Sequence, residues 1–306
     1  MGNVFKLRVF SISALCYLFS FGLLAQPWNY SAYEDGTHQS GRYVVDGESQ
    51  NSFIVHDRFT GLSWEQSNST GNVSWSSTAA RGSAQSYCSR LRKGNYADWR
   101  IPSVTELQSL MDYTRINTPM MNQEIFSAQE NQFYWTSMAR ANLSDVAWVF
   151  DFKLGALIDV LLEDPGIGVR CVRGKRMQVS ERYVDEQNGS ITKATKQIKD
   201  RVTGLIWQRN AFYVRSLREA HQYCNNLFLE DKDWRLPSIK MLATLVDYSR
   251  SRPSIQENVF PKTLNDYFWS SSTPGIRRIF WHILFSSGSI DTTREQSFSI
   301  RCVRKE

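Results

Sequence analysis

Asp57-Arg58-Phe59-Thr60-Gly61-Leu62-Ser63-Trp64 returns later in the chain as Asp200-Arg201-Val202-Thr203-Gly204-Leu205-Ile206-Trp207. Thr-Gly flanked by apolar residues marks a tight turn running into a strand, and glycine there allows a positive φ at little steric cost. Two further motifs recur in the same order. Asp98-Trp99-Arg100-Ile101-Pro102-Ser103 matches Asp233-Trp234-Arg235-Leu236-Pro237-Ser238, and Arg170-Cys171-Val172-Arg173 matches Arg301-Cys302-Val303-Arg304. The offset between partners drifts only from 143 to 135 to 131 residues. A unit of that length is a complete globular domain, too long for a solenoid repeat. The chain therefore reads as one domain written twice, over 41–174 and 175–306.

Each copy has an α+β pattern. It opens with a short alternating segment of strand character, at 41–46 and 181–185. Ala84, Tyr87, Cys88 and Leu91 share one helix face, as do Ala220, Tyr223, Cys224 and Leu227, with the cysteine on the buried side. A second helix follows Pro102-Ser103. Ser103 and Glu106 have capping-box spacing, and Leu107, Leu110 and Met111 form the apolar stripe. In the second copy Ser238 keeps the cap, Met241 replaces the glutamate, and Leu242, Leu245 and Val246 keep the stripe. Strand-like segments fill the last third, at 133–137 and 148–152 and again at 267–271 and 281–285. Two helices followed by antiparallel strands make an α+β domain.

Ahead of the repeats, Lys6 and Arg8 precede an apolar run over 9–19, and Leu23-Leu24-Ala25 supplies a small residue at its end. This predicts a signal peptide over 1–25, with a retained membrane anchor as the alternative, then a loose polar lead-in over 26–40. Nothing after Ala25 is apolar enough to span a bilayer. Cys16 leaves with the signal. The other four cysteines sit two per copy in equivalent places, so an exported chain is expected to pair Cys88 with Cys171 and Cys224 with Cys302. Each bridge would staple the first helix to the closing strand. The Cys-x-x-Cys spacing of redox and metal pairs is missing. The expected location is the periplasm or the extracellular space.

The formal charge of +6 conceals an asymmetry. Residues 26–174 hold 12 lysines and arginines against 16 acids, whereas 175–306 hold 22 against 14. An exported protein with one basic half suits an anionic polysaccharide, lipopolysaccharide phosphate or another anionic surface; nucleic acid is a secondary partner.

Together, Thr-Gly-Leu-x-Trp, Asp-Trp-Arg-x-Pro-Ser, the Trp135 and Trp269 strands and the closing Arg-Cys-Val-Arg resemble the Lcl C-terminal domain family of secreted bacterial proteins. The resemblance covers nearly all of 41–174 and 181–304. It implies a C-type-lectin-like fold, so the expected architecture is two tandem C-type-lectin-like domains, each stapled by one disulfide. It also implies, from the family's namesake, adhesion to sulfated glycosaminoglycans. The helix-to-last-strand bridge is the long disulfide expected of such a domain. The namesake's collagen-like Gly-x-y tract is absent, which sets its trimeric stalk aside. The Glu-Pro-Asn and Trp-Asn-Asp motifs of calcium-dependent sugar binding are absent too.

Trp64/Trp207, Trp99/Trp234, Trp135/Trp269 and Trp148/Trp281 recur in both copies and are assigned to the core, leaving unpaired Trp28 and Trp75 for surface contact. Arg100 and Arg235 are expected to pair with Asp98 and Asp233 and fix the turn before the second helix. Arg170, Arg173, Arg301 and Arg304 are expected on the outer face of the closing strand. Arg250, Arg252, Arg277, Arg278 and Arg294 fall in predicted loops of the second copy and form the candidate polyanion patch, since arginine binds sulfate or phosphate bidentately. His38, His56, His221 and His282 lack ligand spacing, and the acidic 159–164 loop, which could hold a hard cation, becomes Asp291-Thr292-Thr293-Arg294-Glu295 in the second copy, so no metal or cofactor is expected. The nucleophile elbow, His-Glu-x-x-His and phosphate-loop patterns are missing, so no catalytic residue is assigned. The one enzymatic C-type-lectin-like branch, the formylglycine-generating oxidases, needs a reactive cysteine pair, and here both pairs are already assigned. The expected function is non-enzymatic binding or adhesion. The alternative is an envelope structural or assembly protein that binds another protein.

Overall fold

A computed structural model of the chain describes residues 28, 30–36, 40–47, 53–69, 73–115, 119–126, 133–176, 181–229, 233–263, 266–276 and 278–306. The signal peptide expected over 1–25 lies outside them. In the first repeat the elements are β1 (Tyr43–Asp46), β2 (Ile54–Asp57), β3 (Leu62–Glu65), α1 (Ala84–Arg90), α2 (Val104–Gln108), β4 (Phe133–Ala139), β5 (Val146–Asp151), β6 (Ala156–Leu161) and β7 (Val172–Arg173). The second repeat has β8 (Tyr183–Asp185), β9 (Gln197–Asp200), β10 (Leu205–Gln208), β11 (Phe212–Val214), α3 (Leu217–Asn225) and α4 (Ile239–Ala243). It continues with β12 (Tyr267–Trp269), β13 (Ile279–Leu284), β14 (Ser289–Arg294), β15 (Phe298–Ile300) and β16 (Val303–Lys305). Sheet thus dominates four short α-helices, an α+β arrangement.

The same local chemistry builds both repeats. Gly61 and Gly204 each sit at φ 68°, making the turns that launch β3 and β10. The aspartate that opens the motif then fixes the turn from outside. Arg42 forks onto Asp57 at 3.0 and 2.7 Å while donating to Ser109 O at 3.1 Å. Arg182 forks onto Asp200 at 3.0 and 2.8 Å and donates to Thr244 O at 2.7 Å. Each bidentate pair ties the first hairpin to the last turn of the second helix, whose carbonyls lack intrahelical donors. Ser103 and Glu106 form the full capping box; Ser238 caps α4 by accepting from Met241 N. Both disulfides are present, Cys88–Cys171 and Cys224–Cys302, closing separations of 83 and 78 residues.

The small sheets are twins, ordered β1-β2-β3-β7 and β16-β10-β9-β8. The large sheet is shared. It runs β11-β15-β12-β13-β14-β6-β5-β4, with β14 of one repeat antiparallel to β6 of the other and Ile290 opposite Leu157. These two residues occupy equivalent places, two beyond Gly288 and Gly155, so the repeats meet about a pseudo-twofold axis. Ring contacts obey the same symmetry: Tyr113 packs edge-on against Trp281 at 5.0 Å, and Tyr248 against Trp148 at 5.5 Å. One apolar cluster, containing Leu107, Trp148, Phe150, Leu242, Trp281 and Ile283, crosses the junction.

The lead-in departs from the sequence reading. Tyr30–Tyr33 forms a turn of 3₁₀ helix, and Trp28, Ala32 and Tyr33 are buried in that shared core. Trp28 stacks on Tyr33 at 5.8 Å and is not a surface contact. Apolar burial and four hydrogen bonds account for the order. Ser238 Oγ donates to Tyr33 O at 2.6 Å, Tyr113 N to Asp35 O at 2.9 Å and Ser272 Oγ to Asp35 Oδ1 at 2.7 Å. Arg235 reaches Glu34 at 2.8 Å. Trp75 also departs from expectation, packing partly buried on the first repeat's second apolar cluster and donating to Thr136 O at 2.8 Å.

Candidate functional site

What the repeats share is interior. Trp64, Trp207, Trp135 and Trp269 are fully buried, and Trp148, Trp281, Trp99 and Trp234 nearly so. Arg170 and Arg301, expected on an outer face, are instead completely buried. Arg170 donates to the carbonyls of Glu65, Gln66 and Ser67, and Arg301 to those of Gln208 and Arg209. Those carbonyls lie where β3 and β10 end and irregular chain begins, and a guanidinium has enough N–H groups to satisfy several at once. Arg304 is likewise buried and pairs with Glu186, whereas Arg173 is half-buried.

The predicted turn-fixing pairs are also rearranged. Arg100 pairs with Glu106 at 2.6 and 2.7 Å, because the capping box folds that carboxylate back over the start of α2. Asp98 pairs with Arg173 at 2.7 Å, and that bond holds its carboxyl below the usual carboxylate range. Arg235 finds Glu34 rather than Asp233.

The four described candidate arginines, Arg250, Arg252, Arg278 and Arg294, lie at two ends of one hairpin. Arg277 lies outside the described residues. Arg250 is 3.7 Å from Asp247, and the Arg252 N–H donates to Ser286 O at 3.1 Å, placing both at the tip of the β13–β14 hairpin. Arg294 lies opposite Ile279, next to Arg278, at the open end of that hairpin. Six-residue strands rising ~3.3 Å per residue separate the two ends by about 17–20 Å.

The open end gains partners that sequence reasoning missed. Val214 lies opposite Phe298, so the short link 295–297 brings the end of β14 to the start of α3. Glu295 accepts from Leu217 N at 3.1 Å, and Glu219 from Arg215 N at 2.8 Å. Both carboxylates serve helix-start N–H groups. Arg215, Arg218, Arg278 and Arg294 are exposed, with no ion pair among the described residues. Beside them the edge strand β11 exposes Phe212 and Tyr213, and Phe212 stacks on Tyr223 at 4.2 Å. Guanidinium forks beside open aromatic faces can take sulfate, phosphate or carboxylate together with an apolar ring face. A sequence signal existed in Phe212-Tyr213-Val214-Arg215 with Arg218, but only the β11–β15 pairing joins it to Arg294.

Two of the three acids of 159–164 have other partners: Asp164 accepts from Leu161 N at 3.2 Å, and Asp159 lies 3.8 Å from Arg140. Among the described residues no His, Cys, Asp and Glu side chains gather in a group of three or more. Nor is any described helix long and apolar enough to cross a membrane.

No curated protein matches the chain. The Lcl C-terminal domain matches residues 53–173 and again 196–304, each segment falling inside one repeat. This chain belongs to the Lcl C-terminal domain family and carries two tandem copies.

Proposed function

We propose that the protein is an exported, non-enzymatic binding module of two C-type-lectin-like domains, over 41–174 and 175–306. In this reading it holds an anionic glycan, lipopolysaccharide or another cell-surface polyanion against the open end of its second repeat. The observation carrying the reading is the set of four exposed, ion-unpaired arginines, Arg215, Arg218, Arg278 and Arg294, beside exposed Phe212 and Tyr213. The excess of basic residues in 175–306 would steer a polyanion toward this half. Two buried disulfides and the basic-apolar-small pattern of 1–25 support export.

The test is retention of chain 26–306 on immobilised heparin and on lipopolysaccharide. Retention should fall as salt rises through the Debye-screening range. Replacing Arg215, Arg218, Arg278 and Arg294 together with alanine should abolish it, while Arg250→Ala/Arg252→Ala leaves most of it. Undiminished retention of the fourfold variant would overturn the reading. Assembly with an envelope protein is the second reading, favoured by a groove between the repeats that is bounded by Ser103, Met138, Arg182 and Tyr248.

A further inference from the structure

Because the repeats meet about a pseudo-twofold axis, each feature beside the junction has a twin. The lead-in fills one of two twin grooves. Its groove is bounded by Ser238 at the start of α4, by Ser272 and by Tyr113, and its backbone is held through Tyr33 O and Asp35 O. The twin groove is a cavity of ≈ 250 Å³ bounded by Ser103, Thr105, Met138, Arg182, Val246 and Tyr248. Ser103 corresponds to Ser238 and Tyr248 to Tyr113. The match of Met138 to Ser272 follows from the adjoining bonds, Ser137 N to Pro102 O at 2.7 Å and Ser271 N to Pro237 O at 2.8 Å.

The chain's connectivity explains why no described segment of the second repeat straps the second groove. Tyr33 precedes Arg42 by an interval that, counted back from Arg182, falls on Arg173. That residue belongs to β7 and cannot also line the junction. The groove keeps the polar groups a strap would use. The Ser103 hydroxyl accepts from Glu106 N and its proton is free to donate. The Tyr248 N–H occupies the place of the Tyr113 N–H that holds Asp35 O.

We propose that this groove binds a short peptide segment of another protein in the manner of Tyr30–Asp35. Two carbonyls, two residues apart, would accept from Ser103 Oγ and Tyr248 N–H. The volume suits one or two side chains and is small for an oligosaccharide. The incoming peptide must be uncharged where the strap carries Glu34 and Asp35. Met138 offers no donor where Ser272 does, and Arg100 is already held by Glu106. An acidic strap from a second copy of this chain would therefore leave two carboxylates unpaired.

Two synthetic peptides test this against chain 26–306: the strap sequence 28–36, and the same sequence with Glu34→Gln and Asp35→Leu. The uncharged peptide should bind saturably and the acidic one about tenfold more weakly, a difference of ~1.4 kcal/mol. Met138→Trp, which fills a half-exposed position, should remove binding without changing the unfolding midpoint. Met138→Ser should narrow the gap between the peptides. Binding of neither peptide, or binding indifferent to Met138→Trp, overturns the proposal. A dimer in sedimentation that Met138→Trp dissociates would also overturn it, making a second copy the occupant. Heparin retention is read separately, so failure here leaves the polyanion reading standing, and the converse holds.

Discussion

The second helix of each repeat begins in nearly the same sequence and is completed in two different ways. In the first repeat, Arg100 is held by Glu106 of its own helix. In the second, Met241 stands in the glutamate's place, and Arg235 is held by Glu34, two hundred residues upstream. Duplication copied the arginine, and the lead-in supplies the missing carboxylate. The first repeat is thus self-sufficient at this point, whereas the second borrows a segment that the first does not need. The junction bears the marks of that borrowing. Lys240, the counterpart of Thr105, is buried near Asp35, Asp112, Asp57 and Arg42, and desolvation, with Arg42 adding, pushes its amino group down to about 7. Burial pushes the carboxyls of Glu34 and Asp35 up.

The largest effect should come from the bridges, where the repeats ought to behave alike. Loops of 83 and 78 residues differ little in closure entropy, so removing either disulfide should destabilise the chain by about 4–5 kcal/mol. Since one apolar cluster spans both repeats, Cys88→Ala/Cys171→Ala and Cys224→Ala/Cys302→Ala should each lower a single urea transition. Two separated transitions, with only the altered repeat shifted, would break the picture of a shared core.

Acid should separate what the bridges do not. His282 of β13 occupies the place of Val149 of β5, and packs on the rings of Tyr267 and Phe298 at 5.0 and 5.6 Å. Burial lowers its imidazole to about 4. The unfolded chain binds the proton more readily, so the stability this group contributes is fully present above pH 6.5 and is lost as pH falls towards 4. That loss should amount to ~3 kcal/mol. His282→Val should flatten this limb of the stability curve between pH 4 and 6.5, measured by urea midpoints. A limb unchanged by the substitution would assign the acid sensitivity elsewhere.

Periodicity and the doubled motifs read well wherever a residue's partner was near in sequence. The caps and the helix faces belong here, whereas the cysteine pairs, 83 and 78 residues apart, and the buried tryptophans were legible through the doubling alone. Strand alternation places Arg170 and Arg301 outside because it assigns a side to each residue and does not report that the adjoining carbonyls draw a guanidinium inward. Trp28 and Tyr33 sit in a polar stretch whose composition suggests a loose tail, and their burial depends on a groove that exists only once two repeats dock. The split of the arginine patch has the same origin. Positions in loops say nothing of which end of a hairpin each loop occupies, and the pairing of β11 with β15 is a contact across many residues.

The finest test asks whether Glu34 stands in for the missing capping-box glutamate. Glu106 is nearly buried, forks onto Arg100 and accepts from Ser103 N at 2.8 Å. Glu106→Gln should therefore cost about 1–2 kcal/mol. Glu34 and Arg235 are each more than a third exposed, so solvent screens their pair and Glu34→Gln should cost only ~0.5 kcal/mol. Met241 lies 3.4 Å from Arg235 through its sulfur, close enough for a glutamate there to take the guanidinium and complete the box. In a Met241→Glu background the Glu34→Gln cost should fall to nearly zero, a coupling read from a double-mutant cycle of urea midpoints. Strict additivity would mean that Glu34 and the capping-box position act independently, and that the lead-in holds the second repeat through Tyr33 and Asp35 alone.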